Sequence, residues 1–163
     1  NATQELEVIS KYFSQVNKNV ISNQPIKTNM PVIHCTCHFD GKNIQLSNGE
    51  KVFYEDFFKH INHRNKLIIL NMCKGGSNLI KNNIYDSLPL FLILKGAQTI
   101  VCHRWDLGQK ASIQFTDNFY KNMLDKQNIS KAFKGTIRSL SYSKSVFEYG
   151  GYMIWGNGNL RIK

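Results

Sequence analysis

No apolar stretch in this chain approaches the roughly 18 residues of a membrane span, and no signal peptide opens it. The longest apolar run, over 88–94, is interrupted by Pro89 and fits a core element. A soluble, cytoplasmic protein with no membrane partner is expected. Acidic residues are scarce, 11 Asp+Glu against 21 Lys+Arg, for a formal net charge of +10. Such a balance favours nucleic acid or other acidic partners. Yet the lysines are scattered, no basic run forms and no recognised nucleic-acid motif is present. A solvated basic surface is expected, without direct nucleic-acid contact; a Lys- and Asn-rich composition also arises from genome bias.

Cysteine spacing of a disulfide framework or a zinc module is missing too. Cys35, Cys37, Cys73 and Cys102 lie in or at the ends of strand-like apolar runs. Free thiols in a reducing compartment are the natural reading. The cluster His34-Cys35-Thr36-Cys37-His38 suggests a metal centre. On a strand, however, residues 34, 36 and 38 face one way and 35 and 37 the other, so four ligands do not converge. No metal and no cofactor are expected. His34 reads as a buried, hydrogen-bonded strand residue, Cys35 and Cys37 as core thiols, and His60 and His63 as surface residues around a helix end.

With 163 residues and 42% hydrophobic content, the chain is most simply one domain, 1–163, with a sizeable core. Its first residue is Asn, so it is expected to be processed or cut from something longer. Periodicity predicts an amphipathic helix over 2–16, carrying Leu6, Ile9, Tyr12, Phe13 and Val16 on one face. Residues 17–24 form a candidate edge strand, 30–38 a strand, and 39–43 a polar excursion. An Asn48-Gly49 turn between alternating segments predicts a small hairpin over 44–52. A helix over 54–61, a strand over 67–73, a polar loop over 75–83 and a helix over 87–95 closed by Gly96 follow. A strand over 98–105, helices over 111–125 and 129–140, and a last strand over 151–155 complete an α/β alternation.

The stretch Lys66-Leu67-Ile68-Ile69-Leu70-Asn71-Met72-Cys73-Lys74-Gly75-Gly76 organises the rest. A compact apolar run reads as a buried strand of a mostly parallel sheet, and ligands bind at the carboxyl ends of such strands. Cys73 stands at that exit, and His38 ends the other short run, Pro31–His38. A cysteine nucleophile acts as its thiolate and needs a base; histidine accepts and returns a proton near neutral pH. If the two strands are adjacent and parallel, about 4.8 Å apart, both side chains reach one rim. Turn amides after Cys73 and near Phe39 are then candidates to bind a developing oxyanion. Cys102 and His103 neighbour each other on a strand, face opposite ways and form no second dyad.

The chain resembles the CHAT domain, of the caspase, separase and gingipain clan of cysteine peptidases. The resemblance rests on Ala2-Thr3-Gln4-Glu5 opening a helix and on a strand with two histidines four apart, His34 and His38. Leu67–Cys73, Gly96-Ala97-Gln98-Thr99-Ile100-Val101 followed by Trp105, Phe119-Tyr120, Ala132 and Tyr152-Met153-Ile154-Trp155-Gly156 complete it. The resemblance implies a caspase-like three-layer sandwich, its mostly parallel central sheet flanked by helices and lacking the family's first strand. It implies an endopeptidase with Cys73 as nucleophile, His38 as general acid/base, and the backbone of Cys73 and Phe39 as oxyanion donors. Phe39 stands where the family usually has glycine, and Lys74-Gly75-Gly76 where it often has Glu-Thr-Gly.

Asp40, Arg104, Trp105 and Asp106 sit near strand ends and are candidates for the substrate pocket. A carboxylate there selects Lys or Arg, and Arg104 an acid; the alternative is that Trp105 packs and the charges are solvated. The resemblance further implies a protein or peptide substrate, control by a TPR or sensor module, and an effector role in bacterial signalling or defence. The rival is a catalytically inactive caspase-like module that binds an extended peptide by strand addition.

Overall fold

A computed structural model describes residues 2–13, 26, 28–46, 48–72, 87–106, 108–125 and 128–162. Its elements begin α1 (Ala2–Ser10), β1 (Val32–Cys35), β2 (His38–Phe39), β3 (Asn43–Gln45), β4 (Lys51–Phe53), α2 (Tyr54–Phe57) and β5 (Leu67–Leu70). They continue α3 (Leu88–Leu94), β6 (Thr99–His103), α4 (Gln109–Leu124), α5 (Ile129–Ser141), α6 (Val146–Tyr149) and β7 (Tyr152–Gly156). The chain groups into two compact units: a sheet unit, Asn19–Asp106 with Met153–Gly156, and a helical unit, Asn1–Lys18, Leu107–Tyr152 and Asn157–Lys163.

Central to the sheet unit is a four-stranded sheet of order β1-β5-β6-β7. β1, β5 and β6 run parallel, with Val32 opposite Leu67, Cys35 opposite Leu70, and Leu70 opposite Cys102. All four residues of β5 and all five of β6 are buried. Continuous apolar runs such as Leu67-Ile68-Ile69-Leu70 suit strands covered on both faces. One face carries Ile33, Cys35, Ile68, Leu70, Ile100 and Cys102, packed with Tyr54, Phe57, Phe58, Leu88 and Leu92 from the helices. Fully burying an aliphatic side chain of this size contributes about 1.5–3 kcal/mol.

The register of β1 against β5 is pinned at its start. Buried Asn65 donates through Nδ2 to the carbonyls of Thr28 (3.0 Å) and Met30 (2.9 Å) and accepts from the Asn62 amide (3.1 Å). Leu67 N–H then bonds Pro31 O at 2.9 Å. A one-residue slip would strand several buried polar groups, each costing about 1–3 kcal/mol.

The second sheet, order β2-β3-β4, is antiparallel. Its turns explain it. Gly41, at φ 103°, opens a two-residue loop in which Asp40 N–H bonds Asn43 O at 3.1 Å. Gly49, at φ 85°, serves the Asn-Gly turn between β3 and β4. Phe39, Ile44 and Val52 occupy one face and pack on the core, while His38, Gln45 and Lys51 share the exposed face.

In the helical unit α1 and α5 both pack on α4. Phe115, Phe119, Tyr120, Met123, Ile129, Ala132 and Leu140 are buried, with Phe115 stacked on Tyr152 at 3.6 Å. Buried Glu5 accepts from the Thr116 hydroxyl at 2.8 Å and from Ser112 at 3.3 Å. Burial, and then the charge of Glu5, push the Tyr152 phenol well above its ordinary range.

The mixed α/β class and the mostly parallel sheet agree with the sequence reading, and boundaries shift. The first helix ends at Ser10, after which the chain turns. The run 30–38 is broken at Thr36-Cys37 into β1 and β2, which belong to different sheets. The polar excursion over 39–43 is a hairpin, because Asp40-Gly41 has the chemistry a tight antiparallel turn demands. α6 was not expected, although Ser145-Val146-Phe147-Glu148 carries a capping box. The candidate edge strand over 17–24 and the loop over 75–83 lie outside the described residues. Among the described residues β1 pairs with β5 alone.

Candidate active site

The parallel strands set the frame. Cys35, Leu70 and Cys102 lie side by side at the carboxyl ends of β1, β5 and β6, and Asn71 N–H bonds Cys35 O at 2.8 Å, carrying the alignment one residue further. His38 and Cys73 each stand three residues beyond the Cys35–Leu70 pair in sequence. Arg104, Trp105 and Asp106 follow the end of β6. Among the described candidates, His38 and Arg104–Asp106 thus follow the carboxyl ends of β1 and β6 in sequence, the end at which open parallel sheets bind ligands. Cys73 itself lies outside the described residues; its neighbour Met72 is 3% exposed in the core.

His38 leaves the parallel sheet and is fixed by the antiparallel one. Its partner is Gln45, on the exposed face that also bears Lys51. The ladder decides where backbone groups point. In antiparallel pairs, hydrogen-bonded and non-hydrogen-bonded positions alternate. Asp40 bonds Asn43, so Phe39–Ile44 is the non-bonded pair and Phe39 N–H turns away from β3. The Phe39 ring is 5% exposed and meets Tyr54 edge-on at 6.2 Å. Where glycine would leave the strand loose, this ring anchors it in the core.

Asp40 is committed to its own turn. Its Oδ1 accepts from the amides of Asn43 (2.8 Å) and Lys42 (3.0 Å), and Oδ2 pairs with Lys51 Nζ at 3.0 Å. These contacts, the Asn43 amide foremost, hold its carboxyl well below the usual range. Arg104 and Asp106 are exposed and Trp105 is half-buried. The Trp105 carbonyl accepts from Nδ1–H of buried His103, and the two rings meet edge to face at 5.6 Å. Burial lowers the His103 pKa to about 4, against the raising effects of the Trp105 hydrogen bond and the Asp106 charge, so the ring is neutral at neutral pH. Trp105 packs, as one alternative required.

Among the described residues Cys35, Cys37 and Cys102 form no disulfide with one another. Burial, with the neighbouring Cys37, pushes the Cys35 thiol far up, and burial raises Cys102 to about 12. Neither forms a thiolate readily. Cys37 is half-buried against the core, and His34 is half-buried on β1, not fully enclosed as expected. A pocket lined by Thr28, Asn29, His60 and Asn62 lies where the chain enters β1 and β5, at the opposite ends of those strands from the candidate residues.

The site signal that sequence reasoning passed over is the Asp40-Gly41 turn. It is this turn that makes His38 and Phe39 a paired strand, and so sets the face His38 occupies and the direction of Phe39 N–H.

Comparison with known proteins gives the site its context. The family model for the CHAT domain matches residues 3–156, nearly the whole chain. No curated protein matches. The chain belongs to the CHAT-domain family, which is associated with caspase-like cysteine peptidases, and its mixed α/β fold with a mostly parallel sheet is consistent with theirs.

Proposed function

We propose that this CHAT domain is a cysteine endopeptidase with Cys73 as nucleophile and His38 as general acid/base. The observation that carries the reading is the in-register pairing of β1 with β5, with His38 and Cys73 equally far past its last pair. His38 takes the Cys73 proton, and the thiolate attacks the scissile carbonyl. The backbone N–H groups of Cys73 and Phe39 donate to the tetrahedral oxyanion. Collapse expels the amine, which His38 protonates, and leaves a thioester that water hydrolyses with His38 as base. Buried Cys35 and Cys102 are unsuited to the role, since their thiols resist ionisation.

Among the pocket candidates, Arg104 and Asp106 project from the end of β6 into solvent and suit charge selection, whereas Asp40 serves mainly to hold the His38 hairpin. The expected setting is a cytoplasmic effector held in check by a regulatory module. Cleavage of a peptide library by the chain and by Cys73→Ala tests the reading. Products from the native chain alone support it; identical profiles contradict it.

One observation favours the non-catalytic alternative. Among the described residues β2 is an edge strand of its sheet, with Phe39 backbone groups directed away from β3, an arrangement suited to adding a peptide strand. Peptide retention without cleavage, unchanged by His38→Ala, would select it.

A further inference from the structure

The pocket at the amino ends of β1 and β5 is framed by a buried side chain. Its volume is about 410 Å³, and Thr28, Asn29, His60 and Asn62 line it. Fully buried Asn65 clamps both walls. Its Nδ2 donates to the carbonyls of Thr28 and Met30 on one side, and its Oδ1 accepts from the Asn62 amide on the other. The second wall is a tight turn. Asn65 N–H bonds Asn62 O at 3.0 Å and Arg64 N–H bonds Asn62 Oδ1 at 3.0 Å, so His63 and Arg64 are its central residues.

Charge of one sign gathers on the segments that form and abut this pocket. Residues 59–66 include Lys59, Arg64 and Lys66 and no acid. Gly96, at φ 108°, lets the end of α3 come against the turn, since a Cβ there would lie 2.8 Å from His63 N. Lys95 Nζ accordingly reaches Lys59 O at 3.3 Å. The amides of Gln98 and Thr99 both bond Lys66 O, at 3.1 and 2.9 Å, which fixes Lys66 at the same strand ends. All four cations are exposed, and among the described residues none pairs with a carboxylate. The nearest acids in sequence, Glu55 and Asp56, stand in the first turn of α2. The lining itself offers hydroxyl, amide and imidazole groups. Asn29 and His60 are exposed, and their side chains form no hydrogen bond among the described residues.

We propose that this pocket binds a nucleoside polyphosphate, its sugar and base against Asn29 and His60 and its phosphates met by Lys59, Arg64, Lys66 and Lys95. The site lies at the other end of the sheet from the proposed dyad and does not depend on it. Its volume falls within the range of about 300–1,000 Å³ that small ligands occupy, and its polar lining suits a ligand rich in hydrogen-bonding groups. Cations beside it supply charge-assisted hydrogen bonds to phosphate oxygens. A nucleic-acid strand would use aromatic side chains on which successive bases stack, and no Phe, Tyr or Trp lines the pocket or falls within 59–66. A protein interface would be depleted in lysine, and three of the four cations are lysines.

Isothermal titration calorimetry of the whole chain tests this, with ATP and inorganic tripolyphosphate as probes. Saturable binding of one ATP per chain is expected, weakening as salt is raised, with tripolyphosphate bound at least about tenfold less tightly. Arg64→Gln and Lys66→Gln should each weaken both probes by up to about fivefold. Asn29→Ala with His60→Ala should weaken ATP by about tenfold and leave tripolyphosphate unchanged. Lys131→Gln with Lys134→Gln, which removes two exposed cations of the helical unit, should change neither. Circular dichroism confirms that these exposed substitutions leave the fold intact. Cys73→Ala should bind ATP as the native chain does, which keeps the outcome separate from that of the peptidase reading. Four results would overturn the proposal: no saturable ATP binding, tripolyphosphate bound as tightly as ATP, equal loss with the Lys131 and Lys134 changes, or displacement of ATP by a single-stranded oligonucleotide at lower concentration.

Discussion

The two sheets of the sheet unit differ in what fixes them and in what they offer. β5 and β6 are buried along their whole length, and hydrophobic packing on both faces sets their positions. The β2-β3-β4 sheet has one apolar face and one wet one, and it is held by two glycine-bearing turns and the Asp40 carboxylate. The first arrangement supplies rigidity and strand ends in register. The second supplies an exposed histidine and an outward amide. A site that needs an immobile frame and solvent-accessible chemistry draws on both, and His38 lies just past the break between them.

The contrast is broken most strongly from the buried side. Ile68→Ala in β5 should cost about 2–5 kcal/mol, read as a lower denaturant midpoint, because the surrounding sheet closes only partly over the lost volume. On the wet face, Gln45→Thr should stay within about 0.5 kcal/mol. Equal losses at the two positions would erase the distinction.

Acid should act next, through His103. Its pKa is lowered to about 4 from an ordinary 6.5, so the folded state binds the proton less well than the unfolded one. The corresponding stability is complete above about pH 6.5 and is lost as pH falls toward 4. Melting temperature measured across that window should fall with pH, and His103→Leu should flatten this limb of the profile. An unchanged limb would show that another group governs it.

A smaller effect belongs to the hairpin. Asp40→Ala removes the acceptor for two turn amides and should cost about 1 kcal/mol, with the proposed His38-dependent activity falling alongside. Asp40→Asn keeps an acceptor and should restore most of both. Failure of Asn to rescue would assign Asp40 a charge-dependent role toward substrate.

What could be read in the sequence follows the same division. The parallel sheet was legible because burial on two faces writes itself as an unbroken apolar run, as in Leu67–Leu70, and Ser87 and Gly96 marked the two ends of α3. The hairpin sheet was half legible. Asn48-Gly49 was recognised as a turn, whereas Asp40-Gly41 went unread because the preceding residues read as one run continuing to His38. Pairing decides otherwise: β1 follows β5 only to Cys35, and the chain then joins β3. α6 escaped because periodicity finds helices by their buried face, and this one has none. The proposed dyad rests on chemistry, a thiol and an imidazole following two apolar runs; that the strands formed by those runs, β1 and β5, pair in register required the fold.

The most direct test of the central claim is site-mapped alkylation of the native chain with iodoacetamide near neutral pH. The account predicts that Cys73 is modified first and selectively, that Cys37 follows slowly, and that Cys35 and Cys102 react only on unfolding. It further predicts that His38→Ala removes the selectivity without altering the fold. Equal modification of all four cysteines, or a Cys73 rate indifferent to His38, would contradict it.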